Sequence, residues 1–568
     1  MVLYDGEKLI VNVNKSNYKH LLKIAEIDEK SEYLPSANCF VFSPTKHIAK
    51  MIYEINKNFT DEAKIFLQEK KTKSENEIKD DNFEKLYPFQ KEGVKQLLSS
   101  DRNFLLADEM GLGKSVQGAM YLKLKKESLP ALIICPASLK LNWSREIENW
   151  TGYKTYVING KNPEYLSDDF IEKYPVWIIN YDILGSENKE EKENELKRKK
   201  YCKENGIPYK KKIIKVSGWC DEINKHNFKT IIADEIQYIA EPETIRSRGV
   251  KQICDNDSKK IFLSGTPYET KTSQFFTCLN ILNKKLFPNE WAFKMRYCNP
   301  VKTFFGWQFN GLSNAEELHQ KISTLMIRRL KKDVLKELPP KQRIVVPMQI
   351  SDTDRKIYDE ADRELQEALE NKETNALVKL SALKQASFQA KSKSIIQWIR
   401  DYLEINNKLV VFVYHKATFD LLTKEFEKIC VGINGGTPNN QRQENVDKFQ
   451  KDDKIKLFIG QIKACNAGLT LTASSATCFV EFGSTCVQHE QAEDRVHRIG
   501  QEADCVMAYY LVIDDSVDMD CMNTLNIRNA DIKKVMNNQD GDVMFDSDTD
   551  TDMSQNIIKE YKKRKNIK

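Results

Sequence analysis

Short apolar runs alternate with amphipathic and turn-forming stretches from residue 104 to about residue 512. Each run is long enough for one buried strand, and the segments between runs have helical character. The predicted strands are residues 104–107, 132–134, 176–179, 231–233, 261–263, 409–413, 430–433, 455–459, 477–481 and 506–512. Such alternation is typical of helices that cross between parallel strands. The pattern therefore predicts an α/β fold with two lobes, each built around a parallel sheet.

The alternation of apolar runs with helical stretches is confined to two central parts of the chain. We expect the first lobe to occupy residues 81–285 and the second lobe residues 391–515. Residues 286–390, which are helical in character over their second half, are predicted to form helical insertions and a linker between the lobes. Residues 1–80 predict a small N-terminal accessory unit. The C-terminal tail, residues 516–568, becomes acidic and then basic beyond residue 540, and we expect it to be disordered.

A charged segment at residues 185–215 separates two predicted strands of the first lobe. Its basic residues are Lys197, Arg198, Lys199, Lys200, Lys203, Lys210, Lys211, Lys212 and Lys215. Two interpretations stay open. A charge run is usually a solvated helix or loop, but this one could also contact a DNA backbone.

Composition narrows the class of protein. The chain has 568 residues and is 40% hydrophobic, which suggests about three or four globular units. It lacks a run of about 18 apolar residues, so we expect no membrane association. Early charges and scattered cysteines predict an intracellular protein with reduced thiols, nuclear or cytoplasmic depending on the host. The net charge of +5 does not by itself indicate a nucleic-acid partner.

The most informative segment is the phosphate loop, residues 107–115, which reads Ala-Asp-Glu-Met-Gly-Leu-Gly-Lys-Ser. It lies between a predicted strand and a predicted helix, where backbone amides and a helix N-terminus can bind phosphate. Lys114 is predicted to reach the β and γ phosphates of ATP, and Ser115 to bind magnesium. The other predicted nucleotide contacts are Asp108, Glu109, Gly111 and Gly113. Asp108 replaces the first glycine of the strict pattern, so a surface turn remains the alternative.

Two adjacent carboxylates follow the predicted strand at residues 231–233. Asp234 and Glu235 would face the same crevice as the phosphate loop if both strands belong to one parallel sheet. Asp234 would then hold magnesium, while Glu235 would polarise the water that attacks the γ phosphate. The alternative is that the two acids merely cap the strand.

A pair of arginines occurs far away in the second half of the chain. Arg495 and Arg498 are three residues apart within residues 491–501, so a helix would place them on one face. We predict that both act as arginine fingers, which contribute roughly three to five orders of magnitude in rate. Gln491, at the start of this segment, is predicted to contact the nucleotide. Surface ion pairs are the alternative for the arginines, and His497 is expected to be structural.

With its phosphate loop, its acidic pair and its pair of arginines, the chain resembles the Swi/Snf-like branch of superfamily-two helicases over roughly residues 84–515. The resemblance implies two RecA-like lobes, ATP and magnesium as cofactors, and DNA as partner. Gln90, within Leu-Tyr-Pro-Phe-Gln, would contact the adenine. Segments similar to the DNA-facing motifs contain Ser138, Trp143, Asn180, Tyr181, Thr470 and Thr472. Segments similar to the motifs that couple hydrolysis to lobe movement contain Gln237, Ser264, Gly265 and Thr266.

Within that branch the chain is most similar to the HARP-type annealing helicases. The marks are Arg-Tyr-Cys at 296–298, Gly-Trp at 306–307, Ser-Asn at 313–314 and the basic segment at 326–334. Three positions depart from the family pattern. Gln237 stands in place of a histidine, Ser115 in place of a threonine, and Ser-Thr-Cys at 484–486 in place of Trp-Asn-Pro. The N-terminal unit resembles a HARP domain only faintly, and an unrelated small α/β unit stays open.

The resemblance implies an ATP-dependent translocase that remodels or anneals branched or double-stranded DNA without reading its sequence. We expect it to be monomeric. Two alternatives stay open: a remodeller that displaces proteins from duplex DNA, and a DNA clamp that has lost turnover.

Overall fold

The computed structural model of the protein describes residues 2–567 with gaps. The residues outside the description within that range are 5–7, 15–16, 28–30, 36, 44–45, 56–59, 61–62, 64–77, 100, 165, 188, 210–213, 269–270, 304–305, 310, 372, 466–468, 484 and 538–552. Three features of the sequence therefore lie partly or wholly outside the described residues. They are the charged segment at 210–213, one segment similar to a DNA-facing motif at 466–468, and the departure from the family pattern at Ser484.

The N-terminal unit is a small antiparallel sheet with two helices. Its elements are β1 (Val2–Tyr4), β2 (Leu9–Asn12), α1 (Tyr18–Ile27), β3 (Glu32–Leu34), β4 (Cys39–Phe42) and α2 (Lys46–Ile55). The described strands pair in the order β1-β2-β4-β3. Alternate residues such as Val11 and Phe42 point to one face and pack against Ile48 and Ile52, which is the two-residue period of a strand covered on one side.

The first lobe surrounds a parallel sheet. In chain order its elements are α3 (Asp81–Glu84), α4 (Pro88–Leu98), β5 (Phe104–Leu106), α5 (Lys114–Leu124), β6 (Ala131–Cys135), α6 (Lys140–Thr151), β7 (Thr155–Val157), α7 (Asp168–Lys173), β8 (Val176–Asn180), β9 (Ser186–Glu187), α8 (Lys189–Glu204), β10 (Val216–Ser217), α9 (Trp219–Lys225), β11 (Thr230–Asp234), α10 (Ile245–Ile253) and β12 (Lys259–Leu263). The central strands β6, β8 and β11 are buried at every position, as expected when helices cover both faces.

A set of helices and one hairpin follows. It comprises α11 (Phe276–Leu282), α12 (Glu290–Tyr297), the hairpin β13 (Pro300–Thr303) and β14 (Gly306–Phe309), α13 (Ala315–Ser323), β15 (Met326–Ile327) and α14 (Lys331–Val334). The strand β15 pairs in parallel with β5. The described strands of the first-lobe sheet therefore run in the order β15-β5-β12-β11-β6-β8-β7.

The second lobe contains the other parallel sheet. Its elements are β16 (Lys341–Pro347), α15 (Asp352–Glu370), α16 (Ala376–Ile405), β17 (Leu409–Val413), α17 (Lys416–Glu425), β18 (Cys430–Ile433), α18 (Asn439–Lys451), β19 (Leu457–Gln461), β20 (Ala476–Phe479), α19 (Cys486–Glu493) and β21 (Val506–Val512). The order of its described strands is β16-β21-β20-β17-β19-β18. Two lobes with parallel sheets confirm the predicted fold class.

Two sheet strands lie inside the region predicted to be an insertion and linker. β15 extends the first sheet past the expected boundary at residue 285, and β16 begins the second sheet well before residue 391. β15 has only two residues, too few to show a period. β16 carries Lys341 and Arg343 on an edge strand, and these charges masked its strand character. The crossing between the sheets is therefore only residues 328–340.

The described parts of the C-terminal tail are helical, and its acidic part, within residues 538–552, lies outside the described residues. Two helices, α20 (Val517–Asn537) and α21 (Met553–Lys565), follow β21. Ile557 and Tyr561 on α21 are buried, the Tyr561 hydroxyl donates to the carbonyl of Asp362 at 2.9 Å, and Arg564 pairs with Asp520 at 2.9 Å. The strongly charged composition of α21 made its apolar stripe, which packs against α15 and α20, difficult to recognise in the sequence.

The charged segment forms α8, and its side chains are mostly exposed. This geometry suits the solvated interpretation and leaves the DNA contact untested. All thirteen cysteines lie in the described part of the chain and are free. Among the described residues, no helix has the length and apolarity needed to cross a membrane.

Candidate nucleotide site

The phosphate loop connects β5 to α5 and depends on two glycines. Gly111 and Gly113 have φ of +83° and +72°, in the left-handed region that side chains other than glycine rarely occupy. A Cβ at Gly113 would also collide with the amide of Gln90. Lys114 and Ser115 form the first turn of α5, so the loop delivers both residues to a helix N-terminus. The Lys114 ammonium donates to the carbonyl of Asp108 at 2.9 Å.

Gln90 lies directly beside this loop. It is buried in the first turn of α4, where Pro88 occupies the first position. Its side-chain oxygen accepts from the amide of Tyr87 at 3.1 Å, and its nitrogen donates to the carbonyl of Leu112 at 3.1 Å. Gln90 thus links α4 to the phosphate loop, and its predicted contact with adenine stays a prediction.

The carboxylates of Asp108 and Glu109 are hydrogen-bonded within the protein, and their predicted contacts with the nucleotide stay predictions. The Asp108 carboxylate is fully buried and accepts from Arg329 at 2.9 Å and 2.5 Å and from Gln117 at 2.9 Å. Glu109 accepts from the backbone amide of Lys331 at 2.6 Å. Both acids anchor the loop to the chain that follows β15.

The acidic pair lies at the end of β11, in the same sheet as the loop. Asp234 is buried and accepts from the Trp143 indole and from the Glu235 amide, both at 2.9 Å. Burial and the neighbouring Glu235 raise the pKa of Asp234. Burial lowers the pKa of Lys114, while the charges of Glu235, Asp108 and Asp234 act in the opposite direction. The lysine and the two acids therefore share one electrostatic site.

A hydrogen-bonded chain connects Glu235 to the segment after β12. The Gln237 amide donates to Glu235 at 2.7 Å and accepts from the Ser264 hydroxyl at 2.8 Å. The Ser264 hydroxyl in turn accepts from the Thr266 amide at 3.0 Å. We call Glu235, Gln237, Ser264 and Thr266 the polar relay. Gln237, which stands in place of the histidine of the family pattern, therefore contacts both Glu235 and Ser264.

Gly265 brings this segment against the phosphate loop. A Cβ at Gly265 would lie 2.9 Å from Cγ and 3.2 Å from the backbone nitrogen of Met110. The Arg328 guanidinium donates to the carbonyls of Gly265 at 2.9 Å and of Ala107 at 2.7 Å. The polar relay and the phosphate loop are therefore in direct contact and are bridged by Arg328.

Arg495 and Arg498 do not share a helix, contrary to the prediction. Helix α19 ends at Glu493, and both arginines lie in the turns that follow. The two acids at the end of the helix form buried ion pairs: Glu493 with Arg343 at 2.7 Å and Asp494 with Lys331 at 2.9 Å. We call residues 494–498 the arginine segment.

The arginine segment nevertheless faces the first lobe. A Cβ at Gly111 in the phosphate loop would lie 3.5 Å from the Cβ of Arg498. Burial lowers the pKa of Arg495, and the Glu235 carboxylate is the largest charge opposing that shift. Burial and Arg495 lower the pKa of Arg498 to about 10. The three predicted pieces, remote in sequence, thus converge at one seam between the lobes.

Three residues predicted to contact DNA have buried side chains, and their contacts with DNA stay predictions. Trp143, Asn180 and Tyr181 are buried, and the Tyr181 hydroxyl donates to the carbonyl of Asp234 at 2.7 Å. Trp143 donates to the Asp234 carboxylate. Both aromatic side chains therefore support the acidic pair, because the carboxyl ends of β6, β8 and β11 lie side by side in the sheet.

The remaining predicted residues have mixed placements. Ser138 is exposed at the carboxyl end of β6. The Thr470 hydroxyl accepts from Arg498 at 3.0 Å, and the Thr472 hydroxyl accepts from Gln450 at 3.1 Å. Gln491 is buried within α19. Their contacts with DNA or nucleotide stay predictions.

The sequence interpretation gave no role to the residues that join the lobes. Arg328, Arg329 and Lys331 belong to a basic segment that was taken only as a family mark, and all three contact the phosphate loop or its neighbours. The burial of the Asp108 carboxylate, which requires a cationic partner, is seen only in the structure. Sequence alone does not say which of 88 basic residues that partner is.

The fold and the site together define a class of protein: a two-lobed nucleotide-binding enzyme of the helicase type, with its phosphate loop in one lobe and its arginines in the other. Within that class the chain belongs to the SNF2-related family. The SNF2-related domain matches residues 89–410, and the helicase conserved C-terminal domain matches residues 391–500. The two domains mark an ATPase of the SWI2/SNF2 type.

Similar proteins come from animals and an archaeon. The DNA annealing helicase and endonuclease ZRANB3 of Bos taurus is 30% identical over 78% of this chain and 40% of its own length. The SWI/SNF-related matrix-associated actin-dependent regulator of chromatin subfamily A-like protein 1 homolog of Caenorhabditis elegans is 32% identical over 77% of this chain and 59% of its own length. The chain thus spans about two fifths to three fifths of these relatives.

A solved structure, the Sulfolobus solfataricus SWI2/SNF2 ATPase core in complex with dsDNA, is 21% identical. The match covers 80% of this chain and 93% of the solved chain, and the TM-score is 0.35.

Proposed function

We propose that the chain is an ATP-driven motor that moves along DNA and remodels or anneals branched or double-stranded DNA, as in replication-fork repair. The observation that carries this proposal is the convergence of Lys114, Glu235 and the arginine segment at the seam between the lobes. A triphosphate held there touches both lobes. Its binding and hydrolysis can therefore close and open them.

Each group has a role in ATP hydrolysis that its position supports. Lys114 binds the β and γ phosphates, and the amides of the phosphate loop complete the cradle. Glu235 polarises the attacking water. Arg495 and Arg498 neutralise the charge that develops in the transition state. The arginine segment belongs to the second lobe and the phosphate loop to the first, so in this proposal the arginines act on the γ phosphate only while the lobes are in contact, and hydrolysis requires closure.

The donor set fits magnesium. Ser115 offers a hydroxyl and Asp234 a carboxylate, and both are the hard oxygen ligands that magnesium takes together with phosphate oxygens and water. The buried Asp234 lies beside the half-buried Glu235, and a cation would stabilise these two adjacent negative charges. When bound, magnesium would neutralise charge on the β and γ phosphates.

DNA binding is supported by the relatives and by the two-lobed design. A motor that grips phosphates alternately with each lobe travels without reading bases. Ser138 is exposed at the carboxyl edge of the first sheet, and we assign it to the DNA backbone. Thr470 contacts Arg498, so a phosphate bound near Thr470 would be linked directly to the arginine segment. The name of the Bos taurus relative, an annealing helicase, favours branched DNA as substrate.

Displacement of proteins from duplex DNA is the second candidate, favoured by the Caenorhabditis elegans relative, which is named as a regulator of chromatin. Activity on naked forked DNA would support annealing or remodelling. Activity confined to protein-coated duplex would support displacement. A clamp without turnover is disfavoured, because Lys114, Glu235, Arg495 and Arg498 are all in place.

The test is phosphate release by the purified chain with forked, duplex and single-stranded DNA and without DNA. Lys114→Ala and Glu235→Gln should abolish ATP hydrolysis, because one removes the phosphate ligand and the other the polarising carboxylate. Both variants should keep the DNA affinity of the parent chain. Normal turnover by both variants would refute the assigned site, and absence of turnover in the parent with every DNA would favour the clamp.

A further inference from the structure

Lys331 lies on the short crossing between the two sheets. It is the first residue of α14, after β15 of the first sheet and before β16 of the second. Although it begins a short helix on a connection, its side chain is only 3% exposed. Lysine is almost never buried to this extent unless its charge is paired. The buried ammonium therefore indicates a specific function for its contacts.

The contacts of Lys331 reach both lobes. Its backbone amide donates to the Glu109 carboxylate of the phosphate loop at 2.6 Å. Its ammonium donates to the backbone carbonyl of His497 at 2.8 Å and pairs with Asp494 at 2.9 Å. A Cβ at Gly111 would lie 3.4 Å from its Cε. One residue thus touches the phosphate loop with its backbone and stem, and the second lobe with its charge.

The two acceptors of the ammonium each lie directly before one of the two arginines. Asp494 directly precedes Arg495, and His497 directly precedes Arg498. No helix holds these residues, because α19 has already ended at Glu493. The position of the arginines relative to the phosphate loop is therefore set by side-chain contacts such as those of Lys331.

The surroundings of Asp494 limit the structural cost of losing Lys331. Lys341 also pairs with Asp494, at 3.4 Å, and with Glu493, at 2.8 Å. Asp494 would therefore keep a cationic partner within its own lobe. Removal of the Lys331 charge breaks the contact between lobes without leaving a buried carboxylate unpaired.

We propose that Lys331 is a positioning residue that holds the arginine segment against the phosphate loop when the lobes close. It acts on hydrolysis through Arg495 and Arg498 and does not itself touch ATP. This inference rests on the proposed ATPase function. It predicts that Lys331 contributes to turnover and contributes little to the binding of ATP by the first lobe.

The experiment compares Lys331→Met, which keeps the stem and removes the charge, with Lys332→Met, the same change at the exposed neighbouring residue. In DNA-stimulated hydrolysis we expect kcat to fall at least about tenfold for Lys331→Met, with KM for ATP within about threefold of the parent. Lys332→Met should match the parent. Lys331→Arg, which keeps the charge, should recover a substantial part of kcat.

A second measurement separates positioning from general damage. In a background carrying Arg495→Ala and Arg498→Ala, the arginines can no longer be positioned, so Lys331→Met should slow single-turnover hydrolysis by less than about twofold. An equal loss in both backgrounds, or a Lys331→Met kcat equal to that of Lys332→Met, would overturn the inference. If Lys331→Met does not fold, Lys331→Gln is judged by the same criteria. A parent chain without ATPase activity would instead contradict the proposed function.

Discussion

Trp143 provides the sharpest test of the site, because its sequence motif and its position in the structure predict opposite results. The motif places it among DNA contacts, whereas the structure buries it to 1% exposure with its indole donating to Asp234 at 2.9 Å. The perturbation is Trp143→Phe, which keeps an aromatic ring and removes the donor. We expect ATP hydrolysis to fall and DNA affinity to stay unchanged.

The magnitude follows from what Asp234 loses. Its carboxylate accepts from Trp143 and from the Glu235 amide, so the substitution removes one of these two donors at a site that water does not easily reach. A hydrogen bond to a charged group contributes about 1.5–3 kcal/mol, which converts to about 10- to 150-fold in rate. Because the Glu235 amide remains, we expect the lower end, about tenfold in kcat, with a higher magnesium requirement.

A matched control removes the effect of core packing. Trp219 is equally buried at 1% exposure, and its indole donates to the carbonyl of Gly160 at 3.1 Å, away from the nucleotide site. Trp219→Phe should lower the melting temperature about as much as Trp143→Phe and leave kcat within about twofold. The assays are steady-state hydrolysis over a magnesium titration, DNA binding by fluorescence anisotropy, and thermal unfolding. A tenfold loss of DNA affinity with unchanged DNA-free hydrolysis would refute the reasoning.

Two further predictions concern the rest of the site. Arg329→Met leaves the fully buried Asp108 without its cation and should lower the free energy of unfolding by about 3–5 kcal/mol, measured by denaturant titration. Adding Asp108→Asn should restore at least half of that loss, and an Arg329→Met variant as stable as the parent would contradict the buried ion pair. Ser264→Ala interrupts the polar relay and should reduce the stimulation of hydrolysis by DNA about tenfold, with DNA-free hydrolysis within about twofold. Equal losses with and without DNA would show that the relay supports hydrolysis and not coupling.

The local features of this protein could be predicted from its sequence. Strands such as Leu409–Val413 and Val506–Val512 have the bounds that their apolar runs predict, because a strand covered on both faces must be apolar at every position. The phosphate loop was legible for a similar reason. Left-handed backbone at Gly111 and Gly113 requires glycine whatever the rest of the chain does.

The bounds of some elements and the structure of the tail were harder to predict, because packing outweighs the local pattern of apolar residues there. β15 is a strand only because it lies along β5, and two residues carry no periodicity of their own. The helix at Met553–Lys565 is rich in lysine, and it is ordered because Ile557 and Tyr561 find a buried surface formed by α15 and α20.

Residue roles divide in the same way. Residue type and order along the chain were enough to select Lys114, Asp234, Glu235, Arg495 and Arg498 as candidates, since that chemistry needs those side chains. Whether a polar or aromatic residue at the end of a strand faces solvent or core depends on its neighbours in the sheet. Tyr181, directly after β8, faces inward because β8 lies two strands from β11, and Trp143 on α6 reaches Asp234 because α6 follows β6, the neighbour of β11; sequence spacing does not reveal either neighbour.

The sequence by itself determined the chemistry and the kind of fold, because glycine loops, buried strands and catalytic side chains obey local rules. Only the tertiary structure decided which charges meet. Arg329 finds Asp108 across 221 positions, and Lys331 finds His497 across 166. Any of many cations could neutralise a buried carboxylate. The choice is made when β15 pairs with β5 and when the two lobes come into contact, since burial makes an unpaired charge far too costly to keep.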